Sequence, residues 1–360
     1  MTTGRFSELD GLRGLAAVAV LVSHFTGAYD TINVDAPKAF FDFPYGAFGV
    51  QLFFLISGFV ILMSARRATE PSDFVISRAS RIYPAYWLSL IIALAVAPVL
   101  HEPHLRLSAW EALLNFTMGQ RWLQVPNAVD VYWTLAVELQ FYVLIAVLLI
   151  VTRCRLSDRV VSRVSFFWLL MAVLVAIWAG PYSQGIDPQS VITPVKIVLN
   201  LTLAEYAPLF CAGMLAFTAR AQRRMSPLLL LSSGSAVFVT GVLHSWVDAA
   251  VVAGICAFFV TVTMRTTTSW LTIAALQWLG KISYSLYIIH AVIGYVTITA
   301  VLPFVGRDWA MLLAAAVSIG ASWLLYETGE KRCSAVLRRL LEKWRDRRKS
   351  RTAEGASGEG

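Results

Sequence analysis

Apolar runs of about 16 to 21 residues, separated by short polar stretches, recur along the whole chain. Ten are read as helices, at 11–28, 46–65, 83–99, 131–151, 164–179, 199–219, 227–243, 246–264, 282–302 and 309–326. Runs of that length suit a hydrocarbon core about 30 Å thick. An amphipathic stretch at 73–82 leads into the third helix. Another, at 107–118, lies in a long loop and is read as either interfacial or re-entrant. The segment 331–350 is basic, with an apolar stripe at Val336, Leu337, Leu340, Leu341 and Trp344. It is expected to form an amphipathic helix on an anionic membrane leaflet. Residues 351–360, rich in Gly, Ser, Ala and Glu, are read as a disordered tail. The expected fold is all-α, a polytopic membrane bundle of about ten helices, with residues 1–330 as one membrane domain.

Composition agrees with this pattern. Of 360 residues, 58% are hydrophobic and only 14% charged, against about 25% charged in soluble domains. The net charge of +8 invites a nucleic-acid reading, but the placement of the charges argues against it. If the first helix enters from inside, 24 of the 30 Lys and Arg fall on cytoplasmic segments and 5 on the other side, with Arg13 near the inner end of the first helix. That is the positive-inside bias of membrane topology, and it puts both termini in the cytoplasm. No nucleic-acid partner is expected; membrane lipids are. Cys154, Cys211, Cys256 and Cys333 lie far apart and form neither a disulfide framework nor a metal motif. His101 and His104, in HEPH, lack further ligands and are read as solvated loop, so no metal site is expected. The first apolar segment contains Arg13 and no small-residue cleavage site follows it, so it is expected to be a retained helix.

Polar residues inside the apolar runs carry the chemical signal. Ionisable groups in a membrane helix are costly and normally face a bundle interior. Arg13 and His24 are eleven residues apart, about 20° in azimuth and roughly 16 Å along one helix face. In the second helix, Gly46, Gly49, Ser57 and Gly58 are small residues suited to close helix packing. Arg66 and Arg67 end that helix. Arg78 and Arg81 follow, three apart and hence neighbours on a helix surface. They read either as topological charge or as two guanidinium forks for one polyanion. In the fourth helix Thr134, Glu138 and Tyr142 share a face. A buried carboxylate needs partners, and Glu138 is open to three roles: orienting His24, stabilising its protonated form, or pairing with Arg13. In the ninth helix Ser283, Tyr287 and His290 form one polar stripe. The turn holding His244 and Asp248 shows little chemistry.

The stretches LDGLRGLAAVAVLVSHF (9–25), GVQLFFLISGFVI (49–61), SRASRIYPAYW (77–87), WTLAVELQFY (133–142) and ISYSLYIIH (282–290) resemble, in this order, the acyltransferase-3 family of integral-membrane O-acyltransferases. The resemblance implies acyl transfer, acetyl above all, from cytoplasmic acyl-CoA to a hydroxyl of an extracytoplasmic or lipid-linked glycan, in the cell inner membrane. Acyl-CoA is then a co-substrate, and no permanently bound cofactor is implied. By the same resemblance Arg13, His24 and Glu138 are the catalytic candidates. Arg78 and Arg81, joined by Arg66, Arg67 and Lys281 from the charge map, are the candidates for the CoA phosphates. Asp10, Tyr142, Ser283, Tyr287 and His290 are expected to support substrate.

Family members commonly end the last helix with Glu, a basic residue and Pro. This chain has Glu330, Lys331 and Arg332. Some members also carry a fused extracytoplasmic domain, so a separate extracytoplasmic acyltransferase or glycan-assembly protein is an expected partner here. A neutral His24 imidazole is the expected general base; covalent acyl transfer through His24 or another group is the alternative chemistry. A different class, a proton-coupled transporter or flippase, also places Arg, Glu and His inside helices. It would be favoured by inverted repeats or interrupted helices.

Overall fold

In the computed structural model, residues 6–100, 107–183, 193–265 and 268–357 are described; His101 and His104 lie outside them. Among the described residues, nine helices are long and apolar enough to cross a membrane. These are α1 (Glu8–Ile32), α2 (Pro44–Ala65), α3 (Pro71–Leu100), α5 (Asp130–Val151), α6 (Asp158–Tyr182), α7 (Pro194–Gln222), α9 (Trp246–Met264), α10 (Ala274–Val305) and α11 (Arg307–Ser350). A tenth, α8 (Pro227–Leu243), is shorter. The short α4 (Ala109–Thr117) sits in the long connection between α3 and α5. The ten expected runs all recur as helices in the expected order.

The polarity pattern is that of a bundle in lipid. Phe167, Leu174, Leu230 and Leu312 are exposed on the outer faces, while Ser89, Gln120, Ser165, Ser283, Ser285 and His290 are buried. In hydrocarbon each backbone group must be satisfied within the segment, which helices do, while side-chain polar groups turn inward. At the centre α1 packs on α2 and α10, α2 on α7, and α10 on α11. The α2–α7 contact is set by Gly58 and Gly213. A Cβ on Gly213 would come within 2.8 Å of the Phe59 nitrogen, so the two backbones lie in direct contact. Three of the expected packing residues, Gly46, Gly49 and Gly58, do pack on neighbouring backbones, whereas Ser57 turns its hydroxyl to Glu138.

Several boundaries differ from expectation, each for a local reason. The amphipathic stretch 73–82 is not a separate entry to the third helix but its first three turns. α3 is one 30-residue helix, started by Asp73, whose carboxylate accepts from the Thr69 and Glu70 amides. α4 is held at the bundle end, because its buried Asn115 bonds to the Pro126 carbonyl and the Ala128 amide. α7 is interrupted between Thr202 and Ala207, with Leu203 in the left-handed region. The segment after the last span does not begin a separate helix. α11 passes through a π-helical turn, Tyr326–Cys333, and runs on to Ser357, through most of the segment read as a disordered tail. Its basic end lies along the start of α3, where Arg345 meets Asp73 at 2.7 Å and Lys349 meets Glu70 at 2.5 Å.

Candidate active site

Arg13 of α1 faces α3, α5 and α10 across a cavity of about 740 Å³ including its open mouth. Arg78 and Arg81 enter from the first turns of α3, Glu138, Thr134 and Tyr142 from α5, Ser57 from α2, and Ser283, Tyr284 and Tyr287 from α10. The polar residues singled out on four separate helices therefore converge on one space. Arg13 keeps Asp10, three residues earlier, at 3.9 Å. Arg78 donates to Ser64 at 3.1 Å. Glu138 accepts from Ser57 at 2.5 Å and from Tyr142 at 2.8 Å. It lies within electrostatic reach of Arg13, Arg78 and Arg81. The carboxylate thus joins the arginine cluster. Glu138 and Arg13 line the same cavity, whereas Asp130, at the start of α5, lies within electrostatic reach of His24.

His24 and His290 stand apart from this cavity. His24 lies at the point where α1 changes to a π-helical turn, His24–Ala28, a local widening that is frequent at functional sites. Its Nδ1 is 2.9 Å from the Val20 carbonyl. A carbonyl only accepts, so the proton sits on Nδ1 and Nε2 keeps its lone pair. The ring meets that of His290 at 4.9 Å, nearly perpendicular. His290 in turn is one turn above Tyr287, whose hydroxyl is 2.8 Å from that of Thr134 at the top of the cavity. The stripe Ser283, Tyr287, His290 is buried as the spacing implied. Two of its members line the cavity and the third carries the contact to His24.

Three of the five expected phosphate ligands are elsewhere. Arg66 is bonded to Asp158 of α6 and stacks its guanidinium over Phe217. Arg67 and Lys281 are exposed and do not line the cavity. Their placement follows from the direction in which each helix end points, which sequence spacing does not reveal.

Two further groups had no signal, or only an ambiguous one, in the sequence. Glu330, on the second π-helical turn, accepts from the Ser285 hydroxyl at 2.6 Å and lies within electrostatic reach of Arg81 and Arg13. Gly329 makes this possible, because a Cβ there would come within 2.8 Å of the Ala85 Cα and push the turn away from α3. At the opposite end, Arg307 is buried, donates to the Phe25 carbonyl at 2.6 Å and to Asp30 at 2.8 Å, and lies over the Tyr29 ring. It binds a carbonyl of the π-helical turn that carries His24. A second pair missed in the sequence joins Glu205, in the interruption of α7, to His244 at 2.8 Å.

No cluster of three metal-ligating side chains occurs among the described residues.

Comparison with known proteins places the chain in a family. The model of a family described as an acyltransferase domain matches residues 6–327. Among curated proteins, the chain is 28% identical over 203 residues to "Acyltransferase MdmB" of Streptomyces mycarofaciens, covering 54% of this chain and 51% of that protein. It is 34% identical over 120 residues to "Exopolysaccharide production protein ExoZ" of Rhizobium meliloti, covering 31% and 37%. It is 24% identical over 204 residues to "Peptidoglycan O-acetyltransferase OatA" of Listeria monocytogenes, covering 51% and 30%. The match thus spans between 30% and 51% of the length of these relatives. No solved structure matches the chain.

Proposed function

Because the chain belongs to the acyltransferase-3 family, we propose that it is a membrane O-acyltransferase that moves an acyl group, acetyl in the first instance, from acyl-CoA to a glycan or lipid-linked sugar hydroxyl. The donor arrives at the arginine-rich end, which the positive-inside bias assigns to the cytoplasm of the inner membrane. The acceptor reaches the opposite end. The observation that carries this reading is the meeting of Arg13, Arg78 and Arg81 in one cavity beneath the His24–His290 contact.

Three guanidinium groups in a partly desolvated cavity suit a polyanion such as the CoA phosphates. Glu138, Tyr142 and Ser57 hold the cluster open and limit its mutual repulsion. The rise from Arg13 to His24, roughly 16 Å along α1, is one that an extended pantetheine arm spans, which brings the thioester near His24. There the unprotonated Nε2 of His24 removes the acceptor hydroxyl proton as the oxygen attacks the carbonyl, and the thiolate leaves. The relatives named for peptidoglycan O-acetylation and exopolysaccharide production support a glycan acceptor. A separate extracytoplasmic acyltransferase or glycan-assembly protein belongs to the same proposal as a partner.

Among the described residues, the interruption of α7 at 203–206 favours a transporter, since broken helices often line transport sites. Its Glu205, however, is engaged by His244 rather than by the cavity. The deciding experiment incubates detergent-purified protein with radiolabelled acetyl-CoA and follows CoA release and retained label. Wild type is expected to react, His24→Ala to lose activity, and Arg78→Ala/Arg81→Ala to bind donor weakly. Full acetyl transfer by a well-folded His24→Ala protein would overturn the assignment. Substrate flux into liposomes without any acylation would favour transport.

A further inference from the structure

His290 is buried and its two ring nitrogens are unequal. Nδ1 lies 3.0 Å from the Leu286 carbonyl and 2.8 Å from that of Tyr287, so it carries the proton and donates it to the backbone. Nε2 is buried and meets no hydrogen-bond donor. A buried polar atom without a partner is rare in a folded protein and calls for an explanation. Beside it stands His24, 4.9 Å between ring centroids and 89° between planes, held by the same backbone arrangement, Nδ1 on the carbonyl one turn earlier. The other rings around the pair are Phe25 and Tyr287. Tyr287's hydroxyl is already engaged by Thr134 and Val131. The charge that faces His24 is Asp130, an acceptor.

Two imidazoles with matching tautomers cannot bond to each other through Nε2 while both are neutral, because neither has a hydrogen there. Addition of one proton changes that. We propose that His290 is a positioning residue whose Nε2 accepts a hydrogen bond from the Nε2–H of His24 once His24 has been protonated. This rests on the reading of His24 as general base. During transfer the acceptor oxygen forms its bond to the acyl carbon, the C–S bond breaks with its electrons on sulfur, and the hydroxyl proton goes to His24 Nε2. A small turn of the His24 ring directs the new N–H to His290. The pair holds the proton until it passes to the departing thiolate, leaving free CoA thiol. The His24 ring turns about its Nδ1 anchor on Val20, while the doubly bonded His290 stays fixed.

The test uses the full chain, labelled with 15N-histidine and reconstituted in liposomes, at a pH low enough to protonate His24. A scalar coupling between the Nε2 nuclei of His24 and His290 across the shared hydrogen is expected, and its loss in His290→Gln. In parallel, with acetyl-CoA as donor and the thiol release assay, His290→Phe is expected to lower kcat at least tenfold with the acetyl-CoA KM unchanged. His290→Gln, whose amide oxygen accepts, should recover most of kcat. A protonated His24 with no coupling to His290, or wild-type kcat in His290→Phe, would overturn the proposal. If the coupling is present while His24→Ala still transfers acetyl, the histidine pair stands and the general-base reading fails.

Discussion

Glu138 receives hydrogen bonds from Ser57 and Tyr142 on the same oxygen, and bonds to an ionised group contribute about 1.5–3 kcal/mol each. Glu138→Gln keeps the shape but removes the negative charge among Arg13, Arg78 and Arg81. It is expected to lower acetyl transfer at least tenfold while inserting normally, as scored by acetyl-CoA turnover beside membrane yield. Arg307 is argued in the same way. Its Nη2 donates to both the Phe25 carbonyl and Asp30, and removing one partner of a buried ion pair costs about 3–5 kcal/mol. Arg307→Ala should lower unfolding stability in detergent by roughly 3 kcal/mol, and Arg307→Lys should recover part of it, because both bonds leave one nitrogen and an ammonium carries three donors. Equal stability of wild type and Arg307→Ala would show that the π-helical turn needs no such support.

At the level of elements, both π-helical turns carry a group of interest, His24 in one and Glu330 in the other. Each widens a helix where a side chain must be redirected. The α2–α7 contact depends on Gly58 and Gly213, so Gly213→Val is expected to force the backbones apart and destabilise the protein by about 3 kcal/mol or more. Thermal unfolding in detergent would register this as a clear fall in midpoint. The interrupted α7 offers a pH-dependent contact. The hydrogen bond with Glu205 raises the protonation range of His244 above its usual value, although the imidazole is half exposed. The pair therefore adds stability at low pH, and this contribution is lost as pH rises through the raised value. His244→Gln should abolish that decline above the usual histidine range, and an unchanged pH profile would exclude the pair as its source.

The molecule as a whole has one arginine-rich end and one opposite end, and its cysteines report which faces which compartment. Cys333 is exposed and Cys154 half-buried near the arginine-rich end, whereas Cys211 and Cys256 are buried. A membrane-impermeant maleimide should label Cys333 in inside-out but not right-side-out vesicles, with no reaction at the buried pair. Labelling of Cys333 from outside would invert the topology on which cytoplasmic donor delivery rests. The basic end of α11, tied to α3 by Arg345–Asp73 and Lys349–Glu70, still exposes Val336, Leu340 and Trp344. Both features leave it free to rest on an anionic leaflet while docked.

The ten apolar runs and their order were legible in the chain itself. Length against membrane thickness and a 3.6-residue period are local properties that a neighbouring helix does not alter. So were Arg78, Arg81, Glu138, Tyr142, Ser283 and Tyr287, because an isolated polar residue in an apolar run has to face protein. Which of these groups meet was decided only in three dimensions. Ser57 reaches Glu138 across 81 residues and Arg307 reaches Phe25 across 282, and no spacing rule connects positions on different helices. Arg66 shows the converse: its charge and position resemble those of Arg78, yet the packing of α6 presents Asp158 to it and takes it out of the cavity. The His24–His290 contact is of the same kind. Each histidine is visible on its own helix, but their pairing exists because α1 and α10 pack closely enough to bring the two rings edge to face.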